Sequence, residues 1–453
     1  MKIFMLGWEF PPFISGGLGT ACHGLTKAMS SLGMHVTFVV PKPVETDSST
    51  HVKMLSPLQC QPPKASSVSK SREILTEEEI ANVSFRHIPS ALKAYTTPEY
   101  YEHKIEDILT LRSRQTVTEE GVIPAIEEWL HETDPIMPAK IDDYGDDMYS
   151  EVHRYAAYAV RLALKEDFDI IHAHDWMTYP AGIAVAAVTG KPLVVHIHST
   201  EFDRSGEHVN QMVYDIERRG LHAAQKVIAV SHLTRNVVIS RYGVLGEKVE
   251  VVYNGVEQNG DNRMLAFNRV GIRNDEKIVL FLGRITMQKG PEYFLMAARK
   301  VLAEEENVKF VVAGSGDMMH QIIEMAAQMG IGHKVLFTGF LRGKDVQKVY
   351  EMADLYVMPS VSEPFGIAPL EALNHDVPVL ISKQSGVSEV LTHVLKVDFW
   401  DVNEMANKIL AVLRYPPLQM TLREHGNFEV RRLRWEGAAE KCRGIYQEML
   451  TRV

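Results

Sequence analysis

Two clusters in the C-terminal half of the sequence carry the clearest chemistry. Arg284 and Lys289 lie five residues apart in GRITMQKG, between an apolar run ending at Leu282 and a helical segment opened by Pro291. A helix N-terminus already carries partial positive charge, so two cations beside it disfavour the fold unless they have an anion to hold. A diphosphate fits, with arginine gripping it as a fork and lysine as a point charge. Two solvated loop residues are the plainer reading. The second cluster is SEPFGIAPLE, which sets Glu363 and Glu371 eight apart. Glu363 reads either as a capping anion, with Pro364 in a first helical turn, or as a group for sugar hydroxyls and for positive charge developing at an anomeric carbon. Glu371, flanked by Leu370, Ala372 and Leu373, should be partly buried and in need of partners, which ribose hydroxyls would supply.

The N-terminal half offers weaker signals of a similar kind. Ser15-Gly16-Gly17-Leu18-Gly19 follows an apolar run and opens a helical pattern. Glycines there let the backbone approach a phosphate at a helix N-terminus, or simply form a tight turn with positive φ. The spacing is not G-x-G-x-x-G and no acidic residue follows Val39-Val40, which disfavours a dinucleotide dehydrogenase. Two strands end in paired histidines: His172 and His174 before Asp175, and His196 and His198 before Ser199. Asp175 reads equally as a helix N-cap. Alternation puts each pair on one face, but no carboxylate joins the histidines at ligand spacing, so a metal is the lesser reading. His198, at a strand tip, is the better substrate contact, and His172 and His196 belong to the core or support it. Asp167-Phe168-Asp169 has the letters of a cation-binding Asp-x-Asp but precedes its strand, and Asp142-Asp143 and Asp146-Asp147 sit in a polar turn. Arg284 and Lys289 are therefore expected to do a metal's work, with no metal required.

The elements that must position these groups form two alternating series. The first has strands at Lys2–Leu6, His35–Val40, Asp169–His174, Leu193–His198, Lys226–Val230 and Val249–Val252, with helices near Ala21–Ser31, up to Val188, at Tyr214–Ala224 and at Leu233–Tyr242. The second has strands at Ile278–Leu282, Lys309–Ala313, Val335–Gly339, Leu355–Pro359 and Val377–Ile381. Its helices fall at Pro291–Glu304, Met318–Met329, Lys344–Met352 and Gly366–Asn374, with further helices to the C-terminus. Strands apolar on both faces and separated by helices predict parallel sheets covered on both sides. The polar stretch Gln258–Asn268 separates the series. The expected fold is α/β, with two doubly wound Rossmann-like domains facing a central cleft. Residues 1–256 form one domain, with an insertion at about 41–165 that holds some β structure near Val83–Ile88 and a helix ending EVHRYAAYAVRLALKE. Residues 270–429 form the other.

Composition excludes several alternatives. The 453 residues carry 48 Lys and Arg against 58 Asp and Glu, a net charge of −10, which argues against nucleic acid or an anionic membrane as partner. Three cysteines, Cys22, Cys60 and Cys442, define neither a disulfide framework nor a zinc site, so reducing cytosol is the expected compartment. No apolar stretch reaches the length of a membrane span.

Taken in order, Gly-Gly-Leu after the first strand, HAHDW, GRITMQKG and the E-x7-E of SEPFGIAPLE resemble retaining glycosyltransferases of the GT-B fold, family 4 and its glycogen and starch synthase relatives. The resemblance runs across nearly the whole chain, and HAHDW leans toward glycogen synthase and sucrose-phosphate synthase types. It implies transfer of a hexose, glucose first, from an ADP-, UDP- or GDP-sugar to a saccharide acceptor, without a cofactor. Arg284 and Lys289 would bind the donor diphosphate, Glu363 the sugar and Glu371 the ribose. Gly16, Gly17 and backbone N–H groups near Gly366 and Ile367 would line the diphosphate, and Asp175 and His198 would face the reacting sugar. The last helix, within about 430–453, would cross back to the first domain. Glycogen synthases commonly carry lysine two residues before the glycine pair, where this chain has Ile14. A small sugar or lipid as acceptor, or a sugar-nucleotide epimerase of the same shape, fits the same residues, and no oligomeric state is implied.

Overall fold

The computed structural model describes residues 1–11, 16–41, 83–87, 148–257 and 276–451. Ile14, Cys60, most of the expected insertion and the polar stretch at 258–268 lie outside them.

The first sheet contains β1 (Lys2–Leu6), β2 (His35–Val40), β3 (Val83–His87), β4 (Ile170–His174), β5 (Leu193–Ile197), β6 (Lys226–Ala229) and β7 (Val249–Val251). All pairs are parallel, in the order β3-β2-β1-β4-β5-β6-β7. Its helices are α1 (Gly17–Ser31), α2 (Met148–Ala163), α3 (Tyr179–Thr189), α4 (Glu201–Ser205), α5 (Gln211–Ala223) and α6 (His232–Tyr242). The second sheet is also parallel, ordered β10-β9-β8-β11-β12-β13, from β8 (Lys277–Leu282), β9 (Val308–Ala313), β10 (Val335–Gly339), β11 (Leu355–Met358), β12 (Val379–Ser382) and β13 (Leu395–Val397). Around it run α7 (Pro291–Glu304), α8 (Met319–Gln328), α9 (Lys344–Met352), α10 (Ala368–Asn374), α11 (Val402–Arg414) and α12 (Pro416–Val430). The last helix, α13 (Trp435–Thr451), packs on α1.

These strands are buried on both faces: every residue of β4, β5, β11 and β12 is inaccessible. Alternate residues feed cores on opposite sides, so Ile171 and Ala173 join α2 and α3 while Ile3 and Met5 join α1 and α13. Trp435 of α13 lies against the backbone of α1, where a β-carbon on Gly24 would fall 2.2 Å from its indole. Cys22 and Cys442 are free thiols within that same core.

The strand orders reverse between β1 and β4 in one sheet and between β8 and β11 in the other. In open α/β sheets such reversals leave a crevice at the carboxyl ends, where ligands bind. The loops leaving β1, β4, β8 and β11 carry Gly16, Asp175, Arg284 and Glu363 respectively.

Several elements differ from the periodicity: the helix expected from Tyr214 starts at Gln211 and the strand expected from Val377 starts at Val379. Helix α1 starts at Gly17 rather than near Ala21, because the glycines form its first turn. Helix α10 starts at Ala368 with Pro369 in its first turn, leaving Pro364 and Gly366 in the loop. Segment α4, five residues long, and β13, three residues long, are too short for a periodic signal.

The turn after β9 has an exacting backbone. Gly314 adopts φ +143, and a β-carbon there would lie 1.8 Å from the carbonyl oxygen of Gly283. Gly314→Ala is therefore expected to cost about 2–4 kcal/mol, from backbone strain and overpacking together, seen as a fall in the thermal unfolding midpoint. An unchanged midpoint would show that the turn has room.

Candidate active site

Lys289 closes a short 3-10 turn, Met287–Lys289, that ends at Gly290 in a left-handed conformation before α7. Its Nζ donates to Oε2 of Glu363 at 2.5 Å, and both side chains are largely buried. The same carboxylate oxygen accepts from the Ser360 hydroxyl at 3.3 Å. Lys289 is thus no solvated loop residue. Glu363 is not a helix cap either, since α10 begins five residues later. It extends the sheet instead, donating its N–H to Gln384 and pairing with Ser385 in a parallel bridge, while Val387 donates to the carbonyl of Phe365. Gly366, at φ +100, completes this loop against Met358 and Glu363. Glu371 is half-buried on α10; its Oε2 accepts from the Tyr350 hydroxyl at 3.0 Å, and burial, opposed by that bond, holds its pKa above the ordinary value.

The first sheet supplies a second wall. Asp175 is buried and stands at φ 59, ψ 168, a region that side chains rarely occupy. It stands at the N-cap position of a 3-10 turn, Trp176–Thr178, but its side chain caps nothing there. Oδ1 accepts the His198 N–H at 2.6 Å, and the Ser199 N–H also reaches the carboxylate. Burial pushes its pKa up to about 7, against the pull of those N–H groups and of Arg204. Arg204 donates to the Ser199 carbonyl at 3.2 Å, to Glu201 at 3.0 Å and to Glu217. Glu217 also accepts from the Tyr242 hydroxyl and, at 3.0 Å, from the Glu201 N–H. The loop after β5 is therefore held at its N–H groups by Asp175 and at its carbonyl by Arg204.

The four histidines form two stacked pairs, His172 on His174 and His196 on His198, that meet edge to edge through ring nitrogens. Ring centroids are 4.4 Å apart for His172 and His174 and 4.2 Å for His196 and His198, with planes 16° and 23° from parallel. Burial lowers the pKa of His172 and His198 to about 3 and holds those of His174 and His196 well below the ordinary histidine value. His172, His174 and His196 bring ring nitrogens within 4.8 Å of one another. A metal ion sits in the plane of each ligating ring, and near-parallel stacked rings do not converge on one point.

Glu9, which no motif or spacing singles out, sits at the mouth of α1. Its Oε2 lies 2.5 Å from where a β-carbon on Gly16 would be, and its carboxylate accepts the Gly19 N–H. Gly16 has φ −93, so its backbone does not require a glycine, and a β-carbon there would have to displace only the flexible end of Glu9. Burial raises the Glu9 pKa, and Arg284 from the second sheet draws it down. Gly17 faces open space.

Direct bonds join the two halves around these groups. Ser362 donates to Asp203 at 2.6 Å, and Thr234 to the carbonyl of Pro364 at 3.4 Å. Glu389 accepts the first two N–H groups of α6 at 2.9 and 2.7 Å and the Tyr253 hydroxyl at 3.0 Å. Lys289 and Glu363 thus stand across from the Asp175 and His198 loop, and Arg284 across from Gly16. Asp167 and Asp169 lie at the other end of the sheet, paired with the side chain and backbone of Lys2. Asp142, Asp143, Asp146 and Asp147 fall outside the described residues.

The family described as Glycosyl transferases group 1 matches residues 262–427, and Glycosyltransferase Family 4 matches 128–259. An uncharacterized glycosyltransferase of Methanocaldococcus jannaschii is 30% identical over 87% of this chain and 83% of its own length. A glycogen synthase of Mycobacterium tuberculosis is 23% identical over 86% and 80%. Among solved structures, a sucrose-phosphate synthase from Thermosynechococcus elongatus superposes with a TM-score of 0.67 at 18% identity, covering 100% of both chains. The chain belongs to the family 4 glycosyltransferases and has their GT-B fold. It is a glycosyltransferase. No helix among the described residues is long and apolar enough to cross a membrane.

Proposed function

We propose that this enzyme moves a hexose, glucose first, from a nucleoside diphosphate sugar to a saccharide acceptor with retention of configuration, elongating an α-glucan in the manner of a glycogen synthase. The reading rests chiefly on the Lys289–Glu363 pair at the carboxyl end of the second sheet, facing Asp175 and His198 across the cleft. A cation there can turn from its carboxylate to the donor diphosphate. Glu363, released from Lys289, is then free to hold the sugar, and Arg284 takes the other phosphate. Glu371 takes the ribose hydroxyls, and Gly17, Gly366 and Ile367 offer backbone to the phosphates. The two cations replace a metal in neutralising the leaving group. The leaving phosphate accepts the acceptor proton on the same face of the sugar, and closure of the two halves excludes the water that would hydrolyse the donor.

Incubation with ADP-, UDP- and GDP-sugars, with and without a glucan primer, tests the proposal when products are read by NMR. Primer-dependent α-linked product, unchanged by chelator, is expected. An epimerised nucleotide sugar without transfer would assign the site to one-substrate chemistry. Transfer to a small sugar or lipid alone would replace the glucan, and loss of activity under chelator would overturn the role given to the cations.

A further inference from the structure

His198 immediately follows the last residue of β5 and remains partly exposed. Its Nε2 lies 2.9 Å from Nδ1 of His174, a fully buried ring on the neighbouring strand. The opposite nitrogen of His174, Nε2, is buried in the core with no hydrogen-bond partner among the described residues. Both rings are uncharged, since burial holds each far below the ordinary histidine value. A neutral imidazole carries one N–H, so one proton lies between the two rings.

The two possible donors are not equivalent. If His198 donated, the proton of His174 would sit on Nε2 as a buried N–H without an acceptor. If His174 donates, its Nε2 presents only an unshared lone pair. Orphaned buried N–H groups are the rarer and costlier case. Donation by His174 then leaves Nε2 of His198 as an acceptor already engaged and puts the His198 proton on Nδ1. The same rule applies two residues further back along the same pair of strands. Nε2 of His196 is likewise buried without a hydrogen-bond partner among the described residues, so His196 donates from Nδ1 to Nε2 of His172 at 3.3 Å. His172 in turn donates from its own Nδ1 to the hydroxyl oxygen of Tyr446 on α13.

We infer that His174 is a positioning residue that fixes His198 as the neutral Nδ1–H tautomer, so that His198 meets its substrate as a hydrogen-bond donor and has no free lone pair with which to act as a base. The inference rests on the proposed function for the identity of that substrate, a sugar oxygen, but not for the tautomer. Asp175 and Arg204 complete the restraint by holding the backbone on both sides of the ring.

Two-bond 1H–15N correlation spectra of the full chain labelled on histidine nitrogen test this, with the His198 signals assigned by their loss in His198→Gln. A protonated Nδ1 with an accepting Nε2 is expected. Protonation at Nε2 would overturn the inference from the wild-type spectrum alone. In His174→Asn the side-chain amide takes the place of Nδ1 and can still donate, so the pattern persists and kcat stays within about threefold. In His174→Phe, which keeps a ring in the stack, His198 becomes a mixture of tautomers and kcat falls about tenfold, the value of one oriented hydrogen bond, with the KM for donor unchanged. A His198 pattern that ignores His174→Phe would also refute it. Failure of the donor panel with the tautomer intact would instead count against the proposed activity.

Discussion

Replacing Lys289 with alanine lowers kcat by about two to three decades, because a charge-assisted contact to the departing diphosphate is worth about 2–4 kcal/mol in the transition state. The donor KM changes far less, since in the resting enzyme Lys289 is already satisfied by Glu363 and exchanges one anion for another on binding. The pairing makes a second demand. Alanine at 289 leaves Glu363 largely buried with only the Ser360 hydroxyl as a donor to its side chain among the described residues, so the fold also loses stability. Glu363→Gln in the same chain should recover much of that stability and none of the rate. A double-mutant cycle on thermal midpoint and on kcat separates the two effects. Turnover within threefold of wild type in Lys289→Ala would remove Lys289 from the reaction.

The alternation of strands and helices was legible because both sheets are parallel and covered on both faces, which makes runs such as Ile278–Leu282 apolar throughout. A reversal in each sheet was implied by the doubly wound pattern, but which strands flank it was not legible, and it is this that gathers the loops of Gly16, Asp175, Arg284 and Glu363. GRITMQKG and SEPFGIAPLE could be found because each packs its chemistry into one loop. Their direct contact, between Lys289 and Glu363 across 74 positions, leaves no trace in spacing. Glu9 escaped notice for a related reason: it stands in an apolar, proline-rich stretch, and its partners Gly16 and Gly19 become neighbours only when the loop folds back on α1. The Arg204 network had one local sign, Glu201 and Arg204 three apart, but that spacing is common on exposed helices and says nothing of the burial of Glu217 and Tyr242. For Asp175 the sequence pointed to a side chain facing the sugar or capping a helix. It caps no helix: the strained backbone brings its carboxylate to the N–H groups of the neighbouring strand end.

Asp175→Asn should separate stability from activity more sharply than any other single change. Asparagine keeps an acceptor for the His198 N–H and tolerates positive φ nearly as well as aspartate, so the loop should survive. What disappears is a carboxyl whose pKa burial has raised from 3.8 to about 7. A raised acid is protonated in the folded chain at pH values where the unfolded chain has already ionised. The wild type therefore loses stability as pH rises from about 4 to 7, and the slope ends above 7. At 1.36 kcal/mol per pH unit the full penalty is on the order of 4 kcal/mol, and the variant does not suffer it. Its thermal midpoint relative to wild type should climb across that window and then level off. The rate should move the other way. Under the proposed function, in which Asp175 faces the reacting sugar, its ionised form supplies negative charge there, so wild-type kcat rises with pH through about 7, while the variant loses that rise and about two decades of kcat. A midpoint difference independent of pH would mean that Asp175 ionises normally in the fold, and a retained rise in kcat would assign the titrating group elsewhere.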